Sequence, residues 1–313
     1  MTAFGGPEVF EEREVPKPKP GIGELLVRVH ATSVNPLDYK IRSDERWAIV
    51  SPPAVIGYDA AGVVEETGPG VKTFKPGDEV FYTPWVVAGQ GTYAEYSVVN
   101  ESIVAAKPRS LSFVQAAALP LAGCTAWDGI VGIGRVQLGE TVLQHAGAGG
   151  VGLLAVQMAK AAGARVLSTC RAANADLVES LGADVTIDYR AERFEDAVLR
   201  ATSGLGVHLV YDTVGGDTLV RSIQVTRAHG RLFSIVNTNG DLNAAYAKNL
   251  TVFFHFMERA GYKMEALKTL VERGQLRPII DSVMPLEQVA DAHRRLEAGG
   301  ARGKVVLEVS PSA

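Results

Sequence analysis

The sequence predicts an α/β protein in which a doubly wound parallel sheet is joined to a β-rich portion, and two patterns carry this prediction. Ahead of residue 112, short β-branched stretches alternate with Gly/Pro turns, as at residues 24–30, 61–65 and 78–82. Short strands with little helix indicate a small barrel or a folded antiparallel sheet. Beyond residue 112, strand-like and helix-length stretches alternate, which is typical of βαβ units. A chain of 313 residues is long enough for two cores.

The second pattern can be assigned element by element. Residues 115–132 are rich in Ala and Leu and are expected to be helical. After them we expect helices at 150–162 and 173–181, and strands at 141–145, 165–169, 185–187, 209–212 and 231–236. The tail is expected to form two helices and a strand that could rejoin the first sheet, at 264–274, 286–297 and 304–309.

Composition and charge exclude several classes of protein. The formal net charge is −4 and no run of Lys or Arg occurs, so nucleic-acid binding is not expected. Every apolar stretch is interrupted well before the roughly 18 residues that a membrane-spanning helix needs. Cys124 and Cys170 are the only cysteines, and the first residues resemble neither a signal peptide nor a transit sequence. We therefore expect a cytoplasmic protein without disulfides.

A glycine-rich turn lies between a strand and an apolar helix. Gly147, Gly149 and Gly152 form a GxGxxG pattern, which is weak alone but specific in this strand–turn–helix context. The glycines permit a tight turn, a close approach of the backbone to a pyrophosphate, and close packing of helix on strand. A purely structural turn is the alternative. We expect the whole turn to bind a dinucleotide through Gly147, Ala148, Gly149, Gly150, Val151 and Gly152.

The end of the second strand bears on the choice of nicotinamide cofactor. NAD-binding units place a carboxylate there to hold the ribose diol. In this chain the strand runs into Cys170 and Arg171, and no acid follows until Asp176. An arginine can pair with the 2′-phosphate of NADPH, so NADPH is favoured over NADH. The alternative for Arg171 is a solvated surface side chain.

Taken together, several longer motifs resemble a known family, the zinc-free quinone oxidoreductases (zeta-crystallin-like) of the medium-chain dehydrogenase/reductase superfamily. The similar stretches cover nearly the whole chain, at residues 16–42, 55–64, 119–127, 141–152, 210–216, 230–232 and 301–306. The resemblance implies a GroES-like catalytic domain at 1–114, a Rossmann NADPH-binding domain at 115–257 and a segment at 258–313 that completes the catalytic domain. Members usually begin with a short strand before a Gly-Gly-Pro-Glu-Val turn, whereas this chain begins almost at that turn.

The positions that would bind catalytic zinc in related alcohol dehydrogenases carry unsuitable residues. The matching residues are Asn35, Tyr58 and Leu121, whereas zinc needs thiolate, imidazole or carboxylate donors. The structural-zinc loop would need four close cysteines, and residues 85–96 contain none. We therefore expect no metal.

Reduction without a metal favours acceptors whose negative charge delocalises after hydride addition. Quinones and α,β-unsaturated carbonyls meet this condition, and hydrogen-bond donors can stabilise the oxyanion that develops. Asn35 and Tyr58 are the candidate donors, and Thr125 could contact the nicotinamide or its ribose. Asn35 could instead only form a turn before Pro36, and Tyr58 could be a core residue.

The resemblance implies further cofactor contacts. Tyr189 would flank the adenine, Thr213 and Val214 follow the fourth strand, and Val236 follows the fifth. Arg302 and Lys304 resemble a cofactor-side pair, with a solvated basic turn as the alternative.

Three functions remain open from the sequence. The first is an NADPH-dependent quinone reductase, the second an NADPH-dependent enone or alkenal reductase, and the third a non-enzymatic NADPH-binding protein. The aromatic run at residues 252–257 could line the acceptor pocket or form a dimer contact. Because family members usually pair through their Rossmann domains, we expect a homodimer.

Overall fold

The computed structural model describes residues 1–47, 50–86 and 91–309, which divide into two units. Met1–Cys124 and the segment from Glu258 onward form the first unit, and Thr125–Met257 forms the second. The first boundary therefore falls after Cys124, whereas the resemblance implied one after residue 114. The physical reason is that the helix at Phe113–Ala117 packs on strands of the first unit.

The first unit is built on a mainly antiparallel sheet. Its strands are β1 (Glu24–Val34), β2 (Ala60–Thr67), β3 (Glu79–Tyr82), β4 (Tyr96–Asn100), β5 (Val104–Ala106), β12 (Ile280–Pro285) and β13 (Lys304–Glu308). They lie in the order β12-β13-β1-β2-β3-β5, and β4 also pairs with β1. Antiparallel pairing of β13 with β1 confirms that the last strand rejoins the first sheet. The helices are α1 (Pro36–Ser43), α2 (Phe113–Ala117), α8 (Gly261–Glu272) and α9 (Val289–Glu297), and α3 (Pro120–Trp127) spans the boundary after Cys124.

The second unit is a parallel sheet of the predicted doubly wound type. Its strands are β6 (Thr141–Gln144), β7 (Arg165–Cys170), β8 (Val185–Asp188), β9 (Val207–Asp212), β10 (Thr226–Ser234) and β11 (Thr251–Phe254), in the order β11-β10-β9-β6-β7-β8. The helices are α4 (Gly150–Ala161), α5 (Ala175–Ser180), α6 (Phe194–Ala201) and α7 (Thr218–Ser222). Leu143, Leu167, Val210 and Leu232 are buried at the centre of its core. This arrangement confirms the predicted fold class.

The helix predicted over residues 115–132 is broken twice. α2 ends at Ala117, and Pro120 begins α3, because proline lacks the N–H that a helix interior needs but is tolerated at the first position. A π-helix follows at Asp128–Gly132. A Cβ at Gly129 would lie only 2.4 Å from the ring of Tyr211, so this turn depends on a residue without a side chain.

Several elements were not predicted from the sequence. The short strands β4, β5, β11 and β12 and the helices α1, α6 and α7 lack a long periodic pattern. In the part of the chain that the structure describes, no helix combines the length and apolarity needed to cross a membrane. Residues 87–90, within the loop considered for structural zinc, lie outside the described residues.

Candidate active site

The glycine turn joins β6 to α4 in the second unit. A Cβ at Gly147 would lie 1.9 Å from Ser168 Oγ, and one at Gly152 would lie 2.2 Å from the carbonyl oxygen of Ala146. Both glycines are therefore required by strand–helix packing. Gly149 differs, because a Cβ there would meet only the Ala146 oxygen, at 3.3 Å. The space above Gly149 is open, as close approach by a ligand requires.

The first turn of α4 offers an anion site of the kind that a pyrophosphate needs. No side chain caps this helix at its N-cap residue Gly149, and the helix runs on through Ala161. The first N–H groups of a helix have no intrahelical partner, and the helix dipole favours negative charge there. Gly150 and Val151, both partly exposed, lie in this turn beside the buried Ala148. These residues fit the diphosphate of NADPH.

Arg171 and Tyr189 lie side by side at the ends of β7 and β8. The Arg171 Nε donates to the Tyr189 hydroxyl at 3.3 Å, and both side chains are exposed. No acidic residue occupies the end of β7, where Cys170 is buried. The site therefore pairs a guanidinium with an aromatic ring, which suits an adenosine 2′-phosphate better than a ribose diol.

A cavity of about 590 Å³ adjoins the turn within the second unit. Tyr189 and Val214, two of the predicted cofactor contacts, line it. The basic residues on its wall were not predicted from the sequence; they are Arg190, Arg193 and Arg221. Of these three arginines, only Arg190 could have been found from the sequence, because it directly follows Tyr189.

His145 is buried and lines this cavity. Its ring nitrogens contact Ser222 Oγ at 3.0 Å and Thr169 Oγ1 at 3.3 Å, and burial lowers the pKa of His145 to about 3. Its carbonyl oxygen accepts a hydrogen bond from Thr213 Oγ1 at 2.8 Å. The main chain of His145, just after β6, therefore holds the predicted residue Thr213.

The remaining candidates of the second unit lie at carboxyl ends of strands or in α3. The Val214 N–H donates to Asp212 Oδ1 at 2.8 Å, and the Val236 N–H donates to Ser234 Oγ at 3.3 Å. Thr125 is buried, and its carbonyl oxygen accepts a hydrogen bond from the Tyr211 hydroxyl at 2.9 Å.

In the first unit, a buried carboxylate gathers the residues that match the zinc positions. Asp59 Oδ2 accepts hydrogen bonds from Ser33 Oγ at 2.6 Å and from Asn35 Nδ2 at 2.7 Å. Asp59 Oδ1 accepts the backbone N–H of Leu121 at 2.6 Å. Tyr58 directly precedes Asp59 and lies in an apolar cluster, and burial raises the pKa of its hydroxyl well above the usual value. Tyr58 is thus a neutral phenol, able to donate a hydrogen bond.

Lys304 is buried in the first unit. Its ammonium contacts Asn35 Oδ1, the Val34 carbonyl oxygen at 3.2 Å and Asp59 Oδ2 at 3.2 Å. Three acceptors match the three hydrogens of an ammonium, so Lys304 is fully hydrogen-bonded within the first unit. Arg302 is exposed, and its backbone N–H donates to Asp281 Oδ1 at 2.9 Å. A cofactor contact by these two residues stays a prediction.

Asp38, which sequence analysis passed over, ends a directed chain of hydrogen bonds. Arg42 can only donate, so His293 Nδ1 accepts from it at 2.9 Å and His293 Nε2 carries the proton. That nitrogen lies 3.1 Å from the Tyr93 hydroxyl, which donates to Asp38 Oδ2 at 2.8 Å. The Asn35 N–H donates to the same oxygen at 2.8 Å, and Asp38 Oδ1 has no hydrogen-bond partner among the described residues.

The pKa of the Asp38 carboxyl is raised to about 7, because burial outweighs the hydrogen bonds from Asn35 and Tyr93. Nearby Asp59 raises it further, and Lys304 lowers it. Since Oδ2 already accepts two hydrogen bonds, Oδ1 is the oxygen that carries the proton in the neutral form.

Replacing Asp38 with asparagine is expected to stabilise the protein at alkaline pH. The folded-state pKa lies above the unfolded value of 3.8, so the contribution of Asp38 to stability is fully present below that value and is lost as pH rises through about 7. The wild-type free energy of unfolding should therefore fall relative to Asp38→Asn by up to ~1.4 kcal/mol per pH unit over this range. Thermal melting of both proteins from about pH 5 to about pH 8 tests this. A difference that does not change with pH would contradict it.

Comparison with known proteins identifies the family. Residues 21–109 match the family described as alcohol dehydrogenase GroES-like domain, and residues 181–307 match the one described as zinc-binding dehydrogenase. The human quinone oxidoreductase is 32% identical over 97% of this chain and 95% of its own length. The chain belongs to the zinc-free quinone oxidoreductase family of the medium-chain dehydrogenases/reductases. This confirms the resemblance seen in the sequence.

Two further similar proteins are a plant reductase and a bacterial quinone oxidoreductase of known structure. The 2-methylene-furan-3-one reductase of Solanum lycopersicum is 36% identical over 99% of this chain and 78% of its own length. The crystal structure of Escherichia coli quinone oxidoreductase complexed with NADPH is 30% identical, with a TM-score of 0.88 and 98% of each chain covered.

The residues at the positions that match zinc ligands do not fit a catalytic zinc ion. In residues 1–47, 50–86 and 91–309, no group of three or more His, Cys, Asp or Glu side chains could hold a metal. At the matching positions, the Asn35 amide is already held by Asp59 and Lys304, and Leu121 contributes only a backbone N–H.

Proposed function

We propose that the protein is a zinc-independent NADPH-dependent oxidoreductase that reduces quinones. The observation that carries this proposal is the donor set of the first unit, in which an amide and a neutral phenol replace metal ligands. The glycine turn and Arg171 of the second unit fit NADPH. Relatives named quinone oxidoreductase, in human and in Escherichia coli, support the same activity.

The residues of the chain would bind NADPH, orient the acceptor and stabilise the negative charge that develops on it. Gly149, Gly150 and Val151 hold the cofactor diphosphate, and Arg171 holds its 2′-phosphate. Bound NADPH supplies the hydride. Asn35 and Tyr58 donate hydrogen bonds to the acceptor oxygen as negative charge develops on it, which lowers the barrier without a metal.

An enone or alkenal reductase is the second candidate, and one observation favours it specifically. The relative from Solanum lycopersicum is named for the reduction of a methylene-furanone. Hydride addition to an enone places negative charge on the carbonyl oxygen, so the same two donors would serve.

NADPH oxidation by the purified protein separates these functions. We would compare 1,4-benzoquinone, 9,10-phenanthrenequinone and an alkenal as acceptors at equal concentration. Faster turnover of the quinones supports the main proposal, and faster turnover of the alkenal supports the second candidate. Tight NADPH binding without turnover of any acceptor would indicate a non-enzymatic NADPH-binding protein.

Arg171→Glu is expected to change the cofactor preference. The substitution removes a charge-assisted contact to the 2′-phosphate and adds repulsion, so kcat/KM for NADPH should fall by ~10–100-fold. NADH lacks that phosphate, so its kcat/KM should change little. Arg13→Glu makes the same charge change on an exposed surface and serves as the control. Equal losses with both cofactors would contradict a 2′-phosphate role.

A homodimer formed through β11 is part of the proposal. β11 is an edge strand. Its last residue, Phe254, is 58% exposed, and Phe256, two residues further on, is 57% exposed. Exposed apolar edge strands favour pairing with a second chain. The double variant Phe254→Lys/Phe256→Lys should shift the mass measured by analytical ultracentrifugation from dimer to monomer. Leu205→Lys, at an exposed leucine in the loop before β9, should leave the mass unchanged, and a monomeric wild type would contradict the proposal.

We also propose that the protein acts in the cytoplasm. Cys124 and Cys170 are both buried and neither is in a disulfide, which suits a reducing compartment.

A further inference from the structure

The orientation of the Asn35 amide is fixed by two charged groups of opposite sign. The Lys304 ammonium donates to Oδ1, and Asp59 Oδ2 accepts from Nδ2 at 2.7 Å. An ammonium can only donate and a carboxylate can only accept. A flipped amide would place NH₂ against the ammonium and the carbonyl oxygen against the carboxylate. The structure therefore admits one orientation of this side chain.

The same ion pair holds the other positions that match zinc ligands. Asp59 Oδ1 accepts the Leu121 N–H, and Asp59 follows Tyr58 directly in the chain. The Lys304 ammonium lies 3.2 Å from Asp59 Oδ2, and both side chains are buried. The Lys304 ammonium thus lies among the residues that match the zinc ligands of related alcohol dehydrogenases.

A hydrogen bond from an ammonium to the carbonyl oxygen of an amide has a consequence for its N–H groups. It draws electron density from the nitrogen, and hydrogen bonds in such a chain strengthen one another in a low-dielectric interior. Asn35 Nδ2 carries two hydrogens, of which the bond to Asp59 uses one. The second hydrogen belongs to an amide that is polarised and held in place.

We propose that Lys304 is a positioning residue for the reduction, because it orients and polarises the Asn35 amide that donates to the acceptor oxygen. This proposal rests on the proposed function. It also assigns Lys304 to the acceptor side of the reaction, where its loss reduces kcat and leaves the binding of NADPH unchanged.

The test is a double-mutant cycle between Lys304→Met and Asn35→Ala, read by kcat, by the NADPH dissociation constant from fluorescence, and by thermal melting of the cofactor-free protein. Lys304→Met should lower kcat by ~10-fold or more with an NADPH dissociation constant within about 2-fold of wild type. Adding Lys304→Met to Asn35→Ala should lower kcat little further, since contacting residues are not additive. Independent, additive effects on both kcat and melting would overturn the proposal.

A second variant covers the case in which Lys304→Met does not fold because Asp59 is left as an unpaired buried charge. Asp59→Asn/Lys304→Met removes both charges and keeps oxygen and amide groups beside Asn35. It should fold and still show the reduced kcat, and wild-type kcat in this variant would overturn the proposal.

The controls separate this proposal from the proposed function. An increase in the NADPH dissociation constant of Lys304→Met with unchanged kcat would return Lys304 to the cofactor side. If the wild type reduces no acceptor, the proposed function fails, and the melting temperatures of the cycle still decide whether Lys304 and Asn35 act as a pair.

Discussion

Asn35→Ala is expected to lower kcat for quinone reduction by about 10²–10³-fold, the usual cost of removing one donor to a developing oxyanion. Asn35 is 2% exposed and is held by Asp59 and Lys304, so its amide needs no reorganisation when charge develops. A preorganised donor stabilises the transition state more than the bound acceptor. The loss should therefore appear in kcat more than in KM.

The matched control is Asn100→Ala. Asn100 is also an asparagine that precedes a helical turn, and its side chain accepts a hydrogen bond from the Ser102 N–H. Its removal should cost a little thermal stability and leave kcat unchanged. An Asn35→Ala variant with kcat within about 3-fold of wild type would show that the Asn35 side chain has only a structural role.

Gly149→Ala is expected to weaken NADPH binding by ~10–100-fold while the cofactor-free protein keeps its thermal stability. The backbone at Gly149 is extended, with φ −80°, which alanine adopts readily. Its Cβ would meet only the Ala146 oxygen at 3.3 Å, so a small adjustment accommodates it. The same methyl group would fill the space that the diphosphate needs. Fluorescence titration with NADPH and thermal melting measure the two effects.

Gly152→Ala is the control for this prediction. Its Cβ would lie 2.2 Å from the Ala146 oxygen and 2.9 Å from Gly147 Cα, so the turn itself must move. The melting temperature should fall for Gly152→Ala and remain unchanged for Gly149→Ala. If Gly149→Ala binds NADPH as tightly as wild type, the diphosphate does not lie against this turn.

Local patterns made the second unit predictable. The glycine turn occupies consecutive residues between β6 and α4, so its spacing and context could be interpreted from the sequence alone. Arg171 follows β7 directly, and the carboxyl ends of parallel strands share one edge of a sheet. The doubly wound fold was predicted correctly for the same reason, because each βαβ unit is local in sequence.

Long-range pairing explains what the sequence did not reveal in the first unit. Lys304 was predicted as a cofactor contact with a solvated turn as the alternative, but β13 pairs with β1 and brings its ammonium to Asn35 and Asp59. Burial raises the pKa of Asp38, and the hydrogen bond from Tyr93, a residue far along the chain, only partly opposes this shift. No spacing rule connects such residues, because the sheet register places them together.

We propose that this chain reduces its acceptor with NADPH and without a metal. The decisive measurement is NADPH oxidation with 1,4-benzoquinone after the protein has been stripped with a chelator and its residual metal content determined. We predict full turnover in the stripped protein and no increase when zinc is added back. Turnover that disappears on stripping and returns with zinc would show that the reduction depends on zinc.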